Sequence, residues 1–233
     1  INADGHLAKR HDILDVALGL TMSKGYERMT VGDLITELGI SSGAFYHYFG
    51  SKPGVLDAIV SRIREDSEPV LLLVVDDPEL SATDKLQGFF DVLDAMRIER
   101  RGIVVELLRV WYSDDNAIVR SRVETATQAW RAELIDRIVA CGVADGSFTA
   151  APARAGEMVM ALLQSMGNAH AAQMLQFGQH GGRGAVLATA VVNIHAAYMG
   201  AIERLLGMAD GALRRTDAAA VRVWAKILEE ARL

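Results

Sequence analysis

Apolar side chains recur along this chain at spacings of three and four, the period of a helix buried along one face, and strand-like alternation is nearly absent. Ile13, Val16, Ala17 and Leu20 make a first stripe, closed by Gly25. Thr30 and Asp33 then form a capping-box variant, and Val31, Leu34, Ile35 and Leu38 give a short second helix its inward face before Gly39 stops it. Ile40 fits a buried plug in the turn, and Ser41 or Ser42 caps a third helix that reaches Tyr48. Gly50 and Ser51 break the chain again. Pro53 falls in the tolerated first turn of a fourth helix, from which Val55, Leu56, Ile59, Val60 and Ile63 face inward.

Pro69 interrupts this pattern, and residues 70–75 are an unbroken apolar run that periodicity alone leaves as strand or buried helix. We read it as the buried end of the fourth helix or a link to the body of the protein. Further helices are predicted over 82–100, 103–112, 115–141, 153–177, 185–207 and 217–232, with a tight turn at Asp145, Gly146 and Ser147. Helix 153–177 has Ala155, Met158, Val159, Leu162, Leu163 and Met166 on one stripe, and helix 185–207 has Leu187, Val191, Ile194, Tyr198, Ile202 and Leu205. Both carry small residues elsewhere, so neither shows a solvated side. A homodimer in which these two helices pack against their symmetry mates as a four-helix bundle is the economical reading.

Chemistry concentrates between Thr30 and Lys52, where two short helices joined by a glycine turn fit a helix-turn-helix whose second helix lies in the major groove. Ser42, Gly43 and Ala44 let the backbone approach the groove, and Gly43 costs about 1 kcal/mol of helix stability relative to Ala, which asks for a reason. Tyr46, His47 and Tyr48 put three polar-tipped rings on one turn, so at least one faces outward, and Tyr46 and His47 are candidate DNA contacts. Phe45 and Phe49 are read as core. Thr30 offers a hydroxyl and helix-terminal N–H groups to a phosphate, and Lys52 offers charge to another. Ser42 can bond a base edge, and the Ala44 methyl can meet a thymine methyl.

This segment resembles the TetR family, whose threonine-capped second helix, glycine turn, Tyr-x-Tyr/His-Phe recognition helix and following lysine correspond to Thr30, Gly39, Tyr46, Tyr48, Phe49 and Lys52. The resemblance is specific over residues 10–60 and a matter of pattern beyond them. It implies phosphate contacts by Thr30, Tyr46 and Lys52 and groove contacts by Ser42, Ala44 and His47. Gly32 stands where many relatives carry a polar or basic contacting side chain. The implied fold is all-α, an N-terminal three-helix helix-turn-helix DNA-binding domain (1–52) followed by a helical ligand-binding and dimerisation domain (53–233). The implied function is a repressor released from a palindromic operator by a small, mainly apolar effector. For that effector, Met96, Trp111, Tyr112, Trp130, Met158 and Gln164 are candidate pocket residues, because large flexible side chains among many alanines and glycines leave uneven volume.

Composition changes this picture little. The net charge is −6, and residues 1–52 hold five basic side chains against six acidic ones, so any DNA binding rests on local geometry rather than on bulk charge. The single cysteine, Cys141, excludes an intramolecular disulfide and is expected to be buried and inert. Residues 1–11 lack the apolar core of a secretion signal, and no run reaches the roughly 18 apolar residues that span a bilayer, so a soluble cytoplasmic protein is expected. An enzyme is the main alternative, but HExxH, P-loop, GxSxG and dinucleotide fingerprints are missing, and His6, His11, His47, His170, His180 and His195 lack ligand spacing. Neither catalytic residues nor a metal or cofactor is therefore expected. A ligand-free architectural DNA-binding protein is the third reading, disfavoured by the size of the Met- and Trp-containing body.

Overall fold

The computed structural model describes residues 3–99 and 112–230, and among them there is no strand. Two compact units divide the chain, Ile1–Glu68 with Glu106–Thr127 and Pro69–Val105 with Gln128–Leu233.

The first unit contains α1 (Ala3–Lys24), α2 (Val31–Leu38), α3 (Ser42–Phe49), most of α4 (Lys52–Val75), a 3-10 turn (Asp114–Asn116) and the start of α6 (Ala117–Asp145). Its two shortest helices are defined by their ends. Thr30 Oγ1 accepts from Asp33 N at 3.1 Å while the Asp33 carboxylate accepts from Thr30 N at 2.7 Å, closing the expected capping box. Gly39 then adopts the left-handed conformation, φ 60°, that favours glycine, and Ser41 rather than Ser42 caps α3 by accepting from Ala44 N at 3.1 Å. Phe45, fully buried, packs with Leu14, Met29, Leu34 and Leu56. Ile40 is half-buried against the same core. Gly54 permits the close approach of α4 to the end of α3, since a Cβ there would overlap the Phe49 carbonyl oxygen.

The second unit holds the end of α4, α5 (Ala82–Glu99), the rest of α6, α7 (Ala155–His180), α8 (Gly184–Leu206) and α9 (Ala218–Glu230). Phe89, Ile135, Val159 and Ile202 lie at the centre of its main core, and Phe177, Val191, Val221 and Leu228 form a second cluster joining α7, α8 and α9. Gly156 brings α7 against α6, where a Cβ would overlap the Ala132 carbonyl oxygen and where its own N–H donates to Asp136 at 2.7 Å.

Of the two readings of residues 70–75, the end of the fourth helix is the one the structure has, because α4 runs through Pro69 to Val75. An interior proline costs about 3 kcal/mol, but the stretch beyond it buries Leu71 and Val75, at about 1.5–3 kcal/mol for each large apolar side chain. That run is buried on one side only, and Leu73 is 75% exposed. Two expectations need correction. Cys141 is exposed, because Ile138, Val139 and Gly142 take the inward positions of that turn of α6. Last, α8 is long and apolar enough by length and composition to cross a bilayer, yet it packs along α7 and α9 within the second unit. Both long helices also keep an outward side of mostly small or polar residues, Ala161, Ser165, Asn168 and Ala172 on α7 and Val186, Thr189, Asn193 and Ala197 on α8. The helix expected over 103–112 falls, apart from Tyr112, outside the described residues.

Candidate nucleic-acid interface

The helix α3 divides cleanly around its axis. Phe45 is fully buried and Tyr48 and Phe49 are half-buried, whereas Ser42, Gly43, Tyr46 and His47 are exposed. Positions i, i+1, i+4 and i+5 of a helix share one side, so these four residues make a single outward face, with Ala44 half-buried at its edge. A Cβ added to Gly43 would meet nothing closer than Ser41 Oγ at 4.0 Å. Packing within the protein therefore does not require glycine there.

Two of the three expected phosphate contacts, Thr30 and Lys52, are tied into the protein. Thr30 is exposed at the α2 N-terminus, but its hydroxyl also donates to the Asp33 carboxylate at 2.8 Å. A phosphate arriving at that helix end meets an acid. Lys24 compensates for it, with Nζ 2.7 Å from Asp33 Oδ2. Hydrogen bonds from Lys24 and from the Thr30 backbone and hydroxyl hold the Asp33 carboxyl down at about 2. Lys52 is half-buried, donates to the Glu27 carbonyl at 3.2 Å and lies 4.3 Å from the centre of the Tyr26 ring.

Two supports lay beyond the sequence reading. Asn116, 1% exposed, accepts from Tyr26 N at 2.8 Å and donates to the Thr21 carbonyl at 3.4 Å, fastening the loop between α1 and α2. The Arg10 guanidinium lies 5.7 Å from the centre of the Phe49 ring. Arg10 precedes the apolar stripe of the first helix and could be noticed as a cation, but Asn116 is 90 residues from its partner and carries no local signal.

In the second unit a recess of about 190 Å³ opens between α5, α7, α8 and residues 214–216. Among the described residues, none of the expected pocket positions lines it. Met96 is half-buried on α5, Trp130 is buried in the main core, Met158 is 44% exposed on α7, and Gln164 donates to Asn168 at 3.2 Å. Tyr112 belongs to the first unit, with the Arg120 guanidinium 5.4 Å from its ring centre, and Trp111 lies outside the described residues. His170 and His195 stack with ring centres 6.0 Å apart, and among the described residues no three His, Cys, Asp or Glu side chains are grouped to hold a metal ion.

Residues 13–59 match the family model for bacterial regulatory proteins of the tetR family. Over 65 residues the chain is 34% identical to the HTH-type transcriptional repressor KstR2 of Rhodococcus jostii (strain RHA1), an alignment covering 28% of this chain and 32% of that protein. Over 58 residues it is 36% identical to the nucleoid occlusion factor SlmA of Actinobacillus pleuropneumoniae serotype 5b (strain L20), covering 24% and 29%. The chain thus spans less than a third of the length of these curated relatives. At the level of structure it resembles a TetR-family transcriptional regulator from Pectobacterium atrosepticum, with a TM-score of 0.54 at 21% identity over 88% of this chain and 98% of that one. Likeness at that identity establishes the fold.

Proposed function

We propose, from the premise that this chain belongs to the tetR family of bacterial regulatory proteins, that it is a homodimeric, sequence-specific DNA-binding regulator, a repressor that a small organic effector releases from a palindromic operator. The observation that carries this reading is the outward face of α3, where Ser42, Gly43, Tyr46 and His47 stand opposite the buried Phe45. A helix anchored by one aromatic and open at a glycine on its far side can lie in a major groove with its backbone close to the base edges. Ser42 and His47 then read bases, Ala44 touches a thymine methyl, and Tyr46, with Tyr48 beside it, reaches the backbone. Thr30 and Lys52 bracket the helix at phosphates, each already held in position by the protein. The exposed small-residue sides of α7 and α8 are the surfaces through which two copies pair, since small side chains let facing helices approach closely. DNA as the partner places the protein in the cytoplasm.

Fluorescence anisotropy on an operator fragment tests the assignment. Tyr46→Ala and Lys52→Ala are expected to weaken binding to every sequence, whereas Ser42→Ala and His47→Ala alter preference at particular base pairs by about 1–3 kcal/mol. Wild-type affinity in both the Tyr46 and Lys52 variants removes this face from the interface.

A further inference from the structure

Three consecutive residues of the loop between α1 and α2 are fastened to the 3-10 turn that precedes α6. Tyr26 N–H donates to Asn116 Oδ1 at 2.8 Å, Glu27 N–H donates to the Asp115 carbonyl at 3.3 Å, and the Arg28 guanidinium lies 2.7 Å from the Asp115 carboxylate. Asn116 also donates through Nδ2 to the Thr21 carbonyl at 3.4 Å, so one amide ties the end of α1 to the loop that follows it. Asparagine suits the place, because its side chain carries both an acceptor for an N–H and a donor for a carbonyl. Thr21, Tyr26 and Asn116 are all buried, so the two backbone groups have no ready exchange for water if the amide is removed. The approach is close: Gly25 has φ 85°, and a Cβ there would stand 2.9 Å from Asp115 Cβ. The residues fastened in this way are the ones that hold Lys52. Its ammonium donates to the Glu27 carbonyl at 3.2 Å and lies 4.3 Å from the centre of the Tyr26 ring.

We propose that Asn116 is a positioning residue for DNA binding, holding Tyr26 and Glu27 so that they present the Lys52 ammonium to a phosphate. The inference rests on the reading of Lys52 as a phosphate contact. A lysine by itself is a poor fixed point, because its charge rides on a flexible four-carbon stem. Here a carbonyl and an aromatic face settle that stem. An ammonium has three donors, so one bond to Glu27 leaves capacity for a phosphate oxygen. Order established in the free protein is order that binding need not impose. Both partners of the ammonium belong to a loop whose N–H groups at 26 and 27 bond residues 116 and 115. Without the amide of Asn116 the loop loses its tie at Tyr26, and Lys52 loses its seat. Because this effect travels through Lys52, it differs from a general loss of stability.

Two measurements on the full chain test this. In the first, the lysines carry isotopically labelled methyl groups on Nζ, and the Lys52 signal, identified by its loss in Lys52→Arg, is read by NMR without DNA. The Tyr26 ring should shift that signal upfield of the ordinary lysine position, and Asn116→Leu should move it back. In the second, operator affinity is followed against salt concentration. Lys52→Ala should reduce the slope of log K against log salt by about one, the share of one phosphate, and the affinity by about tenfold. Asn116→Leu should do the same, and adding it to Lys52→Ala should weaken binding by less than about twofold more. Gly25→Ala, which pushes the same turn off the loop with every bonding side chain in place, should repeat both results, with circular dichroism to confirm each fold. A wild-type Lys52 signal at the ordinary lysine position overturns the proposal before any variant is made. So does a folded Asn116→Leu protein that keeps the wild-type salt slope, or one whose loss adds in full to that of Lys52→Ala, as simple destabilisation would. No operator binding by the wild type overturns the regulator reading, and the DNA role of Asn116 with it, while a shifted Lys52 signal would still show the seat itself.

Discussion

The two units of this protein reach order by different routes. In the first, α2 and α3 are eight residues each, too short to persist in isolation, and their ends are settled by neighbours in sequence: the Thr30–Asp33 box, left-handed Gly39 and the Ser41 cap. In the second, α5 to α8 run from 18 to 29 residues; Ser81 caps α5 by accepting from Asp84 N at 3.1 Å and left-handed Gly207 closes α8, but the start of α7 has no such local device. Arg154 begins α7 at φ 64° with no side-chain cap, a conformation costly for a residue with a Cβ. Packing of α7 against its neighbours overrides that local cost. Where local chemistry fixes the backbone, the functional face can be read from the sequence, and where packing fixes it, the helices can be read but the site they enclose cannot.

Equivalent insults sharpen this contrast. Gly54→Ala and Gly156→Ala each drive a methyl into a carbonyl oxygen, one in each unit, and each should cost about 3 kcal/mol. Hydrogen exchange is expected to show lost protection in α2 and α3 for the first and in α6 and α7 for the second. Equal loss throughout the molecule in both variants would show that the two units do not respond separately.

A smaller effect is expected at Glu203. Replacing it with Gln leaves Arg215 without its carboxylate, and the cost should be about 2 kcal/mol, below the range for a fully buried pair because the Arg215 side chain is 28% exposed. Burial pushes the Glu203 carboxyl up, but hydrogen bonds from Arg215, Leu213 and Gly211 outweigh it and hold the group below its ordinary 4.5. A carboxyl lowered on folding contributes stability that is complete above that ordinary value and is lost as pH falls through the lowered one. The difference in melting temperature between wild type and Glu203→Gln should therefore be constant near neutral pH and shrink under acid. A difference that grows as pH falls from 5 to 3 contradicts this account of the pair.

The legible and illegible parts fall along the same division. Thr30, Gly39 and Ser41 announce the helix-turn-helix because each acts on residues within four positions of itself. Continuation of α4 past Pro69 was legible only as one of two readings, since the choice depends on Leu71 and Val75 finding a core contributed by α5 to α8. Asn116 was not legible, because its buried hydrogen bonds reach back to Thr21 and Tyr26. For the recess, the sequence drew attention to Met and aromatic positions, yet Trp130 was spent on core and Met158 faces outward. The rim comes from Asp91, Asp94, Arg214 and Arg215, which read in isolation as ordinary solvated charges and are brought together only where three helices and a loop meet.

The central claim is that the outward face of α3 reads DNA sequence, and selection of bound duplexes from a randomised pool tests it most directly. Wild-type protein should enrich a pseudo-palindrome with half-sites about 34–36 Å apart, and His47→Ala should lose enrichment at particular positions of each half-site while retaining the others. No enrichment by the wild type, or an identical consensus from the wild type and both the Ser42→Ala and His47→Ala variants, would contradict it.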